Sequence, residues 1–120
     1  MGKATTDSKL LTGAKFTIEE IPVGDLEVDR DIQRYVLNLK KVENIKADFS
    51  PEALDLITVS RRNRVTQIIL DGWHRVTVVK ELTDNQGTIL GRVFEDLTKA
   101  QEAMLFLRLN PANQPNLLEK

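Results

Sequence analysis

The chain has 120 residues, 41% of them hydrophobic and 29% charged, a balance that fits one soluble globular domain with a real core. Its formal net charge of −1 supplies no general field for tight, nonspecific nucleic-acid binding. With no cysteine and a single histidine, the sequence excludes disulfides, thiol chemistry, cysteine zinc sites and multi-histidine metal sites.

No stretch is apolar and long enough to span a membrane, and the N-terminus lacks a signal-peptide h-region, so the cytoplasm is the expected compartment. Residues 1–13 are small, polar and charged and read as a flexible arm. The domain then spans 14–110, with 111–120 as a loose polar tail. Lys15 to Ile21 reads as a first strand, ended by Pro22 and Gly24. A charged segment follows, Asp25 to Arg34, built around Leu26, Val28 and Ile32. From Leu37 to Phe49 the apolar positions Leu39, Val42, Ile45 and Phe49 recur at helical spacing. Lys40, Lys41, Glu43, Asn44 and Lys46 fall on the opposite, solvated face.

Ser50-Pro51-Glu52 is a helix-start signature, with room for only a turn or two before Ile57. Ile57 to Ser60 alternates and reads as a strand. Arg61-Arg62-Asn63-Arg64 joins it to a second strand, Val65 to Leu70, as a hairpin turning at Asn63. Its three arginines form the sharpest basic cluster in the chain. They read either as a solvated turn or as a contact for phosphate or an acidic partner.

The chain is organised around the next stretch, Arg64 to Leu82. The short run Ile68-Ile69-Leu70 is a buried strand, and Asp71-Gly72 is a strong turn signal. A helix then carries Trp73, Val76, Val79 and Leu82 at helical spacing. A helix that opens straight off a buried strand aims its unpaired N–H groups and positive dipole end at the loop, which suits an anion. His74 and Arg75, both able to be cationic, lie in that turn. The bland alternative makes Asp71 an N-cap, Trp73 a core anchor and Arg75 a solvated residue.

Thr83 to Gly87 reads as a loop and Thr88 to Phe94 as a last strand, interrupted by Gly91. Thr98-Lys-Ala-Gln101 matches a capping box. The helix it opens is apolar almost all round, through Ala100, Ala103, Met104, Phe106, Leu107 and Leu109, and is expected to be buried until Pro111 stops it. Strands and helices interleave without repeats, which makes the fold class α+β.

At this point the residues carry a resemblance. Leu70-Asp-Gly-Trp-His-Arg75 resembles the signature turn of the ParB/sulfiredoxin superfamily, and most of all the Asp-Gly-Gln-His-Arg turn of phage- and plasmid-borne ParB-like proteins. Trp73 stands where that group has glutamine and sulfiredoxin its cysteine. Flanking pieces agree in order: Leu26-Glu-Val-Asp29 with Gln33-Arg34, then Ile57 to Arg61, then the helix from Leu97-Thr98 to Asn110. The match covers about Lys15 to Asn110.

The resemblance implies a compact mixed sheet with flanking helices and a phosphate cradle for a nucleoside triphosphate, CTP or ATP with magnesium. The turn at Gly72 and Trp73, with His74 and Arg75, would hold phosphates. Gln33 and Arg34 would border the nucleotide, and Asn110 would lie near nucleotide and metal. Departures from the family accompany it. Without cysteine there is no sulfiredoxin chemistry. Leu109 replaces the glutamate before Asn110, and the arginine that follows the family's asparagine is missing. Phe49-Ser-Pro-Glu-Ala-Leu54 replaces the base-recognition motif. No helix-turn-helix follows, so DNA contact would fall to Arg61, Arg62 and Arg64.

Three readings remain open. The first is a small nucleotide-binding protein of phage or plasmid origin, DNA-associated, with weak NTPase activity resting on Asp71, His74 and Arg75. The second is a metal-dependent nuclease using Asp71, Asp29 and Asp31, its metal unidentified. The third is a non-catalytic module acting on a host protein or on DNA-bound machinery. A homodimer is compatible with each.

Overall fold

The computed structural model describes residues 15–50 and 55–111. The N-terminal arm, the short helix expected after Ser50 and most of the C-terminal tail therefore lie outside the described residues. The strands are β1 (Phe16–Pro22), β2 (Leu26–Glu27), β3 (Ile57–Arg62), β4 (Thr66–Asp71) and β5 (Thr88–Glu95). The helices are α1 (Leu39–Ala47), α2 (Trp73–Thr83) and α3 (Lys99–Leu109), and a single 3-10 turn, Val23–Asp25, joins β1 to β2.

The strands form one mixed five-stranded sheet in the order β1-β5-β3-β4-β2. β1 pairs antiparallel with β5, β5 parallel with β3, β3 antiparallel with β4, and β4 parallel with β2. The hairpin between β3 and β4 turns through Asn63 and Arg64, both at positive φ (52° and 65°). These two left-handed residues lie in a three-residue loop, Asn63 to Val65, closed by Val65 N–H donating to Arg62 O at 3.0 Å, and give the twist that a tight hairpin needs.

β4 is buried on both faces, which explains its unbroken apolar run. Ile69 joins Ile57, Val59, Ile21, Val23 and Val93 in a core covered by Val76 and Val79 of α2. Ile68 and Leu70 point the other way and pack with Phe94 and with Leu105 of α3. α2 and α3 thus sandwich the sheet, and α1 rests on α2.

Three expectations are corrected. α3 is not buried all round: Met104 and Leu107 are 48% and 38% exposed, because the helix lies on the sheet by one side only. α1 is shorter than its pattern and rests on one helix, so Val42 is its buried residue while Leu39 is 68% exposed. In α2 the seam runs through Val76, Val78 and Val79, and Leu82 is left 48% exposed beyond it.

The capping box at α3 is formed, Thr98 and Gln101 each satisfying the other's N–H. One turn into this helix, Glu102 is only 1% exposed. Arg62 of β3 meets it as a fork, Nε donating to Oε2 at 2.9 Å and Nη2 to Oε1 at 2.6 Å, while Ser60 Oγ donates at 2.6 Å. Arg62 Nη2 also donates to Asp29 at 2.7 Å, and Lys99 reaches the same carboxylate at 2.9 Å. A carboxylate this deep is tolerated only when its partners satisfy it.

Glu102→Ala should therefore leave Arg62 and Ser60 facing an apolar hole and cost roughly 3 kcal/mol. The check is urea unfolding, where the midpoint should fall while the slope is kept. The hydrogen bond from Arg62, and then that from Lys99, holds the Asp29 carboxyl far below the usual carboxylate range. Its contribution is complete above the unfolded aspartate value near pH 4 and is lost as acid titrates the native carboxylate. Unfolding midpoints measured from pH 6 down to pH 2 should show this loss shrink in Asp29→Asn.

Candidate phosphate-binding cleft

β2 and β4 are parallel, so both deliver the chain to the same end of the sheet. From β2 the chain passes to Asp29, whose carbonyl accepts the N–H groups of Ile32 and Gln33 at 2.9 and 2.8 Å. Asp31 N–H donates to its carboxylate at 2.8 Å. With that carboxylate held by Arg62 and Lys99, the segment to Gln33 is clamped in a tight turn. From β4 the chain passes into Gly72 and α2. Ligand sites in open sheets form at such strand ends.

Between these two arrivals lies a cleft of about 270 Å³, lined by Gln33, Lys41, Ile45, Asp71, Gly72, Trp73, His74, Arg75 and Asn110. Gly72 is the N-cap of α2 at φ 110°, a left-handed conformation, and no side chain caps the helix. The first-turn N–H groups of α2 thus have no intrahelical acceptor and face the loop with the positive end of the dipole. A Cβ on Gly72 would stand 2.5 Å from Ile57 Cγ2 and 3.1 Å from Arg75 Nη2. Backbone angle and space together demand glycine.

Arg75 is bound by Asp71 at 3.2 Å and, more loosely, by the exposed Asp55 at 3.7 Å. Arg30 lies over the Trp73 ring, 5.4 Å from its centroid. Gln33 is only 5% exposed, lines the cleft, and its side-chain amide has no hydrogen-bond partner among the described residues. The Asn110 amide nitrogen donates to Leu70 O and Phe106 O at 2.9 and 2.8 Å, which fixes α3 to the end of β4. Its oxygen is therefore the remaining polar atom, an acceptor suited to a cation or a donor rather than to a phosphate oxygen.

His74 departs from the role of a cation. Its Nε2 accepts Asn38 N–H at 3.1 Å, and burial first, then Lys41, push its pKa below the usual histidine range. The positive charges at the cleft are those of Arg75 and Lys41.

The structure brings together Asp71, Gly72, Trp73, His74, Arg75, Gln33 and Asn110, all singled out from sequence. Arg34 is exposed, its Nε donating to Asp31 O at 3.2 Å, and does not line the cleft. Lys41 and Ile45 were missed, read as outer face and core. With the cap Asn38, they fall at i, i+3 and i+7, one stripe of α1 turned to the cleft. Of the hairpin arginines, Arg61 is held by Glu19 at 2.5 Å and Glu95 at 3.2 Å, and Arg62 by Asp29 and Glu102. Arg64 sits exposed at the turn. Asp29 and Asp31 share Lys99, whereas Asp71 pairs with Arg75. Among the described residues no group of three or more potential ligands gathers to hold a metal ion. No described helix is long and apolar enough to cross a membrane.

No family model and no curated protein matches this sequence. Solved structures do match its fold. A C-terminally truncated chromosome-partitioning protein ParB from Caulobacter crescentus, complexed with CTP-gamma-S, aligns with a TM-score of 0.64 at 15% identity, covering 82% of this chain and 54% of that one. The pNOB8-like ParB N-domain aligns with a TM-score of 0.64 at 15% identity, over 87% of this chain and 38% of that chain. A second crystal form of that domain gives 0.61 at 13%. This chain therefore spans about half or less of the proteins whose fold it shares. The fold is that of ParB N-domains.

Gly72→Val should cost roughly 3 kcal/mol, combining left-handed backbone strain with the clash against Ile57. Thermal unfolding checks it, and an unchanged midpoint would show the turn to be misassigned.

Proposed function

We propose that the cleft binds a nucleoside triphosphate, CTP or ATP with magnesium, chiefly through its phosphates. The observation that carries this reading is the uncapped N-terminus of α2, opening beside Arg75 and Lys41, with the Gln33 amide, unpartnered among the described residues, in the same cleft. Helix N–H groups and a guanidinium complement phosphate oxygens. The likeness to a ParB fold complexed with CTP-gamma-S supports the same ligand class. In this reading the protein is a small ParB-like component of phage or plasmid origin. Any DNA contact falls to Arg64, the hairpin arginine whose guanidinium makes no ion pair among the described residues.

A binding module without turnover is the second reading, and Asn110 favours it. Its amide nitrogen is committed to holding α3 on β4, and Leu109 stands before it where ParB carries a carboxylate. The partner would then be a host protein or DNA-bound machinery. Weak hydrolysis by Asp71, His74 and Arg75 is the alternative within the first reading. The nuclease reading loses ground because its carboxylates are drawn to different cations.

A thermal-shift titration with CTP, ATP, GTP and UTP, with and without magnesium, tests the proposal, since a ligand of the folded state raises the melting point by mass action. Arg75→Ala should weaken binding about tenfold or more, the worth of one charge-assisted contact, at little cost to the fold. Equal affinity in Arg75→Ala, or no shift with any nucleotide, would refute the cradle.

A further inference from the structure

The single histidine of the chain sits at a junction between two helices. His74 is in the first turn of α2, and its Nε2 accepts the N–H of Asn38, the N-cap of α1. The Asn38 side chain in turn accepts Lys41 N–H at 3.1 Å. One imidazole nitrogen therefore ties the start of α1, and with it Lys41, to the wall of the cleft. A ring nitrogen accepts only while unprotonated, so this contact requires the neutral tautomer with its proton on Nδ1.

The charged groups that line the cleft with His74 are Lys41 from α1, Arg75 from its own helix and Asp71 from the end of β4, with Asp55 beside Arg75 and Arg30 over the adjoining Trp73 ring. Burial first, and then the charge of Lys41, favour the neutral form. A polyanion in the cleft reverses the sign of that field. Protonation then becomes favourable, and an imidazolium Nε2–H confronts Asn38 N–H donor to donor. The ligand site does not rest on the helix terminus alone, since the buried residue Gln33 also lines it with an amide that is unpartnered among the described residues.

We propose that this cleft is a proton-linked phosphate site, where a phosphate-bearing anion and a proton on His74 bind together and the His74–Asn38 contact is given up. The proposal rests on the phosphate-binding reading above. It deepens that reading by adding a regulator, pH, and a moving part, the start of α1.

The test is nuclear magnetic resonance of untagged protein, where the one imidazole titrates without overlap. Without ligand, the His74 midpoint should lie below the ordinary value near 6.5. At saturating inorganic triphosphate it should rise by about one pH unit, and the Asn38 amide should follow the same titration. Affinity should then strengthen as the solution is acidified, by about threefold per pH unit at the steepest and about tenfold in total. In His74→Gln the pH dependence should flatten to that of the ligand itself, whatever the absolute affinity. A parallel arm with CTP separates the sources: a rise with both assigns the phosphate chain, and a rise with CTP alone assigns the whole nucleotide. Triphosphate or CTP that binds while the His74 midpoint stays fixed would overturn the linkage and leave the phosphate reading intact. Failure of both to bind would overturn the reading beneath it.

Discussion

The structure turns on a carboxylate that should not be where it is. Glu102 is almost fully buried between α3 and the sheet, and Arg62 meets it with a two-pronged contact backed by Ser60. Removing such a charge from water costs several kcal/mol, which only a saturated set of partners offsets. The Arg62 guanidinium reaches beyond Glu102 to Asp29, and so the helix, the sheet and the loop after β2 share one electrostatic knot. That knot fixes the turn that carries Gln33. Stability and site geometry are therefore one problem in this fold: loosening α3 loosens the wall of the cleft.

The cleft itself is built mainly from backbone. β4 is followed by a glycine held left-handed against Ile57, and α2 begins at once, uncapped by any side chain. The charges placed around this opening are few: Arg75 is paired with Asp71, Lys41 lines the cleft, and Arg30 lies over the Trp73 ring. A chain with net charge −1 can nevertheless present a local anion site in this way. The neutral His74 sharpens the point. In place of a permanent cation it acts as a hydrogen-bond acceptor that couples two helices.

Much of this was legible in the sequence because it is local. Strand, turn and helix from Ile68 to Val79 announce themselves by period and by Asp-Gly, and the capping box at Thr98 and Gln101 is a short-range rule that the structure obeys. The resemblance adds Gln33 and Asn110, which no local pattern would bring to Gly72. What escaped is long-range. The carboxylate partners of Arg61 and Arg62 lie more than thirty residues away in sequence, so a run that looks like a basic patch is largely neutralised from inside. Glu102 did leave a trace, since it falls three and four residues before the buried Leu105 and Phe106, on the inner face of α3. Lys41 left a weaker one: it shares a stripe with Asn38 and Ile45, but amphipathic reasoning assigns its charge to solvent. Met104 and Leu107 misled in the opposite sense, because an apolar residue tolerates exposure far better than a charge tolerates burial.

The most direct test of the central claim is to follow the backbone and side-chain amides of 15N-labelled protein while CTP and magnesium are added. The largest changes should fall on the N–H groups of Trp73, His74 and Arg75 and on the side-chain amide of Gln33. Changes centred on Asn63 and Arg64 at the hairpin, or none at saturating nucleotide, would contradict it.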